Sequence, residues 1–290
     1  MNTLKLLLIM LLLVVSGCKK GKNNTPRLDL GQIEDNRLNE ISGMDNSQIN
    51  KDVFWLHNDS GDSAQIFAID KKGKHLGKFM LKNIENRDWE DIAVGPGPID
   101  DQSYIYIGDI GDNEAIYDVK YIYRIKEPRI NFDKIPFDSS IQDVETIRYK
   151  YPDGPRDAET LMIDPLTKNL IIVSKREESV HVYVLLFPQN TDSIIIPQQI
   201  ASLPITQVTG GDISNSGKKI ILKNYEIIYY WIREQRQSLQ DAFSQLPDHL
   251  PYIVEPQGEA ICWSNDEKGY FTTSEEADNI EAQLYFYPFK

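Results

Sequence analysis

The 290-residue sequence predicts an all-β chain, a β-propeller of five or six blades with about four antiparallel strands in each. Three observations predict it. The first is a repeat. Residues 40–69 lie over 90–119 at an ungapped offset of 50, so that VFWLHNDSGDS (Val53–Ser63) meets SYIYIGDIGDN (Ser103–Asn113). Internal periods of 20–50 residues mark solenoids and propellers. The second is composition within the repeats: short runs rich in Ile, Val, Tyr and Phe, punctuated by Asp, Asn and Gly, read as strands and turns. The third is the lack of regular amphipathic helices, which a parallel α/β sheet needs as crossovers.

Each repeat has the same order of parts. An acidic residue precedes a short apolar run; a polar turn, a second β-rich run and a third run follow. DAETLMIDPLTKNLIIVSKRE, TGGDISNSGKKIILKNYE and QGEAICWSNDEKGYFTTSEE repeat the first two copies more loosely. The third runs are QIFAID, KYIYRIK, VHVYVLLF, EIIYYWI and AQLYFYPF. The acidic anchors fall at Glu40, Glu90, Glu159, Asp212 and Glu259, with spacings of 50, 69, 53 and 47 residues. The wide second interval leaves room for a sixth small blade around VETIRYKY, or for a long loop plus an outer strand. PRLDLG is placed to supply a strand that closes the ring against the last blade and protects its edges. The one helix-like segment, Ile232–Leu246, is polar and reads as a lid-like excursion.

The chain opens MNTLKLLLIMLLLVVSGCKKG. One lysine, an apolar run from Leu6 to Val15 and small residues make the layout of a signal peptide, too short for a membrane span of about 20 residues. VSGC resembles the lipobox of bacterial lipoproteins. That resemblance implies cleavage before Cys18 and acylation of Cys18, which anchors a protein to a membrane without spanning it. The expected organisation is a signal peptide over 1–17, a lipidated Cys18 with a polar tether through 34, and one propeller over 35–290. The expected location is the bacterial cell envelope, on the extracytoplasmic side. Cys262 then has no disulfide partner and reads as a buried apolar residue. With 31 Lys plus Arg against 44 Asp plus Glu, the net charge of −13 argues against nucleic acid as a partner.

NEISGM, FWLHNDSG, RDWEDIAVGPG, YIYIGDIGDN, DAETLMIDP, VTGGDIS and GEAICW together resemble a family of bacterial secreted and lipoprotein β-propellers of poorly defined function. The resemblance covers roughly residues 35–280. More distantly the chain is similar to phytase-like and lactonase-like propellers. That distant likeness implies carboxylates around a channel mouth which, in some members, hold calcium.

Two residue sets carry the candidate chemistry. The anchors Glu40, Glu90, Glu159, Asp212 and Glu259, with Asp91 as an alternative in the second repeat, converge on one mouth if each opens an innermost strand. A ring of carboxylates repels itself unless a cation intervenes, and calcium, a hard ion taking six to eight oxygens, suits it. Alternatively each acid caps a turn or bonds the neighbouring blade. The four histidines are scattered, which disfavours zinc. The second set is the turns after the second strands, on the same face because adjacent strands are antiparallel. It holds His57, Asp59, Asp109, Asp112, Lys175 and Arg176. His57 is a candidate general base. Lys175 and Arg176 are candidates to hold an anion. Two functions follow: a tethered module binding a small ligand or envelope protein, or a calcium-dependent hydrolase of phosphoesters or lactones.

Overall fold

The computed structural model describes residues 27–277 and 280–289. The expected signal peptide and Cys18 lie outside these residues. Within them, five sheets form five blades. Blade 1 comprises Ile41–Asn46, Val53–Asn58, Gln65–Asp70 and His75–Leu81 from the channel outward. Blade 2 comprises Trp89–Pro96, Ser103–Asp109, Lys120–Lys126 and Glu145–Tyr149. Blade 3 comprises Ala158–Ile163, Leu170–Ser174, Val180–Leu185 and Gln198–Leu203. Blade 4 comprises Val208–Ile213, Lys219–Asn224, Ile228–Ile232 and Asp248–Leu250. Blade 5 comprises Gly258–Trp263, Gly269–Ser274 and Gln283–Pro288.

The wide interval hides no sixth blade. Phe137–Ile141 extends blade 1 as a parallel fifth strand, and Glu145–Tyr149 is the outer strand of blade 2. Ile194–Ile195 adds a short parallel edge to blade 2. The ring closes as the sequence suggests: Leu28–Gln32 pairs with Gln283–Pro288 as the fourth strand of blade 5. The propeller therefore begins by Leu28, and residues 28–34 belong to it rather than to a tether.

Five apolar clusters fill the five wedges between blades. Trp55 and Trp89 sit between blades 1 and 2, Trp231 between 3 and 4, and Trp263 between 4 and 5. Cys262 is free and buried between blades 5 and 1, as expected for an apolar cysteine. The polar segment after Ile232 is no lid. It contains a five-residue helix, Leu239–Phe243, capped by Ser238, which accepts from the Asp241 N–H. Leu239, Ala242 and Phe243 are buried, with the Phe243 ring 5.2 Å from Trp231. Polar composition hid three apolar contacts at helical spacing.

Candidate metal centre at the channel mouth

The innermost strands carry one shared irregularity. In each blade the pairing with the second strand skips the second residue, a β-bulge that leaves that residue unpaired and re-aims it. The five bulge residues are Ser42, Glu90, Glu159, Thr209 and Glu259. Three of the predicted anchors therefore share one position; Glu40 and Asp212 do not. Glu40 lies before its strand and is exposed at the rim. Asp212 lies three residues beyond its bulge.

The slip has a physical cause. Ile41 and Asn58 are paired in blade 1 as Trp89 and Asp109 are in blade 2. The offset is 48 residues before the hairpin and 51 after it, because the blade 2 hairpin is three residues longer. An ungapped offset of 50 falls between the two. Asn58, not Asp59, corresponds to Asp109, and His57 corresponds to Gly108.

At the mouth, Glu90 belongs to two carboxylate triplets. Oxygens of Asp59, Asp88 and Glu90 lie within 4.8 Å of one another, as do those of Glu90, Asp157 and Glu159. Glu259 and Glu275 add to the same field. Burial, followed by the charges of Glu159 and Asp59, raises the Glu90 carboxyl well above its ordinary range. Burial and then Asp59 push Asp88 up to about 6. Burial and then Glu259 push Glu275 up to about 8. Seven carboxylates converge here.

The nearby cations are Lys120, Lys175, Arg176 and Lys223, and each is engaged. Lys120 Nζ donates to the Gly111 carbonyl at 3.0 Å and pairs with Asp112. Lys175 is hydrogen-bonded to Glu159 Oε1 and donates to the Tyr225 hydroxyl at 3.2 Å. That hydroxyl donates to Glu259 Oε1 at 3.0 Å. Arg176 Nε holds Asp157 Oδ2 at 2.5 Å and its Nη2 donates to Asn113 Oδ1. Lys223 Nζ donates to the Gly258 and Asn224 carbonyls. Lys175 and Arg176, expected to hold an anionic ligand, are instead internal counter-ions of the acidic set. Even so, Glu159 Oε2 is buried with no hydrogen-bond partner.

Gly111, in the YIYIGDIGDN stretch, leaves the space these groups use. A Cβ there would collide with the carboxylates of Glu90 and Asp88.

Other sequence candidates have structural duties. Asp112 accepts from the Ile116 and Tyr117 N–H groups, each at 2.8 Å, and pairs with Lys120 at 3.0 Å. Asp109 pairs with Arg87 at 3.0 Å and accepts from Tyr123 at 3.2 Å. Asp91 and Asp212 lie deeper in the channel with Asp45, which the sequence reading missed. Asp45 accepts from Val94 N at 2.6 Å, Asp91 from Leu161 N at 2.9 Å and Asp212 from Trp263 N at 2.7 Å. Each carboxylate thus satisfies a backbone donor of the next blade. His57 is fully buried, edge-on to Trp89 at 5.5 Å, with Nδ1 2.9 Å from the Asn58 carbonyl oxygen. Burial lowers its pKa. It sits in the wedge between blades 1 and 2 and presents no face to the mouth.

No protein-family model matches this chain, and no curated protein matches it. The site therefore stands on its own geometry. Asp88 and Asp157 were missing from the sequence candidates. Their signal was legible: Arg87-Asp88-Trp89-Glu90 and Arg156-Asp157-Ala158-Glu159 repeat an R-D-x-E pattern, which puts a second carboxylate two residues before the bulged one.

Proposed function

We propose that this chain is a lipid-anchored, extracytoplasmic binding propeller whose channel mouth holds a hard divalent cation, calcium by preference. The observation that carries the reading is Glu90 shared by two carboxylate triplets, beside a buried Glu159 oxygen with no partner. So many acids at one point raise one another's pKa values, and a divalent cation relieves that repulsion. Carboxylate oxygens alone suit calcium; magnesium keeps more of its water and uses fewer protein carboxylates. Glu90, Asp157 and Glu159 would hold the ion, with Asp59 and Asp88 on its outer side. Asp59, Asp88 and Glu275 are only half-buried, which leaves that outer side open to a small ligand or an envelope protein.

The same open side favours a second reading, calcium-dependent hydrolysis of a phosphoester or lactone, in which the ion supplies Lewis acidity. His57 is too enclosed to be its base, so a mouth carboxylate with a raised pKa would take that part. Calorimetric titration of the purified chain with calcium and magnesium tests the first reading. Saturable calcium binding, weaker for magnesium and lost on Glu90→Gln, is expected. Absence of heat at millimolar calcium would remove the metal from the account. Turnover of phosphoester or lactone substrates by the calcium-loaded chain, lost in the same variant, would move the assignment to the hydrolase.

A further inference from the structure

The path of the closing strand orients the ring. Innermost strands begin at the acidic mouth and end at the opposite face. In blade 5, Trp263 at the far end pairs with Tyr270, and Gly269 pairs with Pro288. Leu28 pairs with Phe286 and Gln32 with Gln283. The chain therefore joins the ring at the far face and runs toward the mouth. Only nine residues separate Cys18 from Leu28, a reach of at most about 30 Å even when fully extended.

That far face has the surface chemistry a lipid boundary requires. Its turns and strand ends expose Leu28, Ile99, Leu166, Leu186 and Ile232, each by half or more. A cleft of about 510 Å³ opens on it at the seam between the last and first blades. Leu30, Phe54, Phe271 and Phe286 supply its apolar lining, and Lys51, Asp52, Lys71 and Asp266 are among its polar lining. The size falls within the range of small-ligand sites, about 300–1,000 Å³. The face is mixed in charge where the mouth is acidic. Of its carboxylates, Asp52 pairs with Lys71, Asp100 with Lys168 and Asp266 with Lys268. Lys51, Lys72 and Lys218 are exposed on it. Apolar tips beside lysines suit insertion at an anionic headgroup layer.

We propose that the face opposite the acidic mouth lies on the lipid surface, that the aromatic cleft takes up a lipid acyl chain, and that the mouth points away from the membrane. This rests on the reading of Cys18 as the lipidated residue. An acidic mouth held away from anionic lipid keeps its cation and any ligand accessible. The reverse orientation would press seven carboxylates against like charge.

Depth-dependent quenching tests it. Cys262 is buried, so an added surface cysteine is the thiol that takes a fluorophore. Full-length acylated chain carrying Ile99→Cys or Leu166→Cys on the far face, or Ile116→Cys or Glu226→Cys on the mouth face, is reconstituted into phosphatidylethanolamine–phosphatidylglycerol vesicles. Some vesicles contain doxyl-labelled acyl chains. Flotation with the vesicles, and the mass of the acylated N-terminal peptide, read the anchor; quenching reads the orientation. Several-fold stronger quenching at residues 99 and 166 than at 116 and 226 is expected. For the cleft, Phe286→Trp should show quenching of its indole emission beyond the wild-type background. A chain that does not float overturns the anchor and the orientation with it. A chain that floats with its mouth labels quenched, or with all four labels equal, overturns the orientation alone. An unquenched Trp at 286 in a correctly oriented chain removes the acyl chain from the cleft.

Discussion

Two sets of buried carboxylates line one channel, and they behave differently. Asp45, Asp91 and Asp212 each meet a backbone N–H of the next blade, at 2.6–2.9 Å. Glu90, Asp157 and Glu159, one level up, crowd one another. Asp157 is held by the Asp112 N–H at 2.8 Å and by Arg176, and Glu159 by Lys175, yet Glu159 Oε2 has no partner. The deep set supplies acceptors to N–H donors that the sheet edge leaves unpaired, so it belongs to the fold. The mouth set leaves an oxygen of Glu159 unpaired and its charges in mutual repulsion, which is why we propose it as the cation site. Residue type and strand do not distinguish the two; the partner of each oxygen does.

The comparison breaks most visibly at Glu90. Glu90→Gln should weaken calcium binding by more than about 100-fold, beyond the 10–100-fold typical of outer partners. The same change should leave the calcium-free melting temperature unchanged or raised, because it removes a repelling charge. Paired calorimetric and thermal-melt measurements check both halves. The deep set should give the opposite pattern. Asp91→Ala strands the Leu161 N–H and should cost about 1–3 kcal/mol of stability, read by urea denaturation, while calcium affinity stays within a few-fold of wild type. A stable Asp91→Ala, or a destabilised Glu90→Gln, would erase the distinction.

The pH dependence sharpens it further. Asp88 and Glu275 titrate near 6 and 8 in the fold, above their ordinary values. Between the ordinary and raised values the folded chain holds more protons than the unfolded one, so stability falls as pH rises. Calcium-free protein should therefore lose melting temperature from about pH 4 through pH 8. Saturating calcium should flatten that decline, because the ion takes the place of the protons. Differential scanning calorimetry across the range, with chelator and with calcium, checks this. The smallest effect is expected at Glu40. It is exposed at the rim, and Glu40→Gln should change calcium affinity by no more than about threefold, as for exposed charges generally.

Much of this was legible in the sequence. Repeats, turn residues and the closing PRLDLG segment identified the ring and its seam, because blade rhythm depends on local β and turn chemistry. Five blades rather than six followed only from pairing, since VETIRYKY fits an outer strand as well as a new blade. The mouth was half legible. Glu90, Glu159 and Glu259 were found because an acid recurs before the apolar run of each repeat, and that position is the bulge. Glu40 was drawn in by a one-dimensional offset that cannot register a hairpin three residues longer, and Asp212 by the likeness of GGDIS to WEDIA, although Asp212 lies three residues past its bulge and Asp91 one. His57 drew attention by contrast with its neighbour repeat, yet Gly43, where a Cβ would come 2.8 Å from Nε2, lets the imidazole pack inside the wedge. Sequence spacing shows which residues share a strand end; it does not show which oxygens are already satisfied.

The most direct test of the central claim is a crystal grown with calcium or terbium and measured for anomalous scattering. A peak within 2.3–2.6 Å of carboxylate oxygens from Glu90 and at least two of Asp59, Asp88, Asp157 and Glu159 is the predicted result. A mouth without a peak in protein saturated with the ion, or a peak at Asp45 and Asp212 instead, would contradict it.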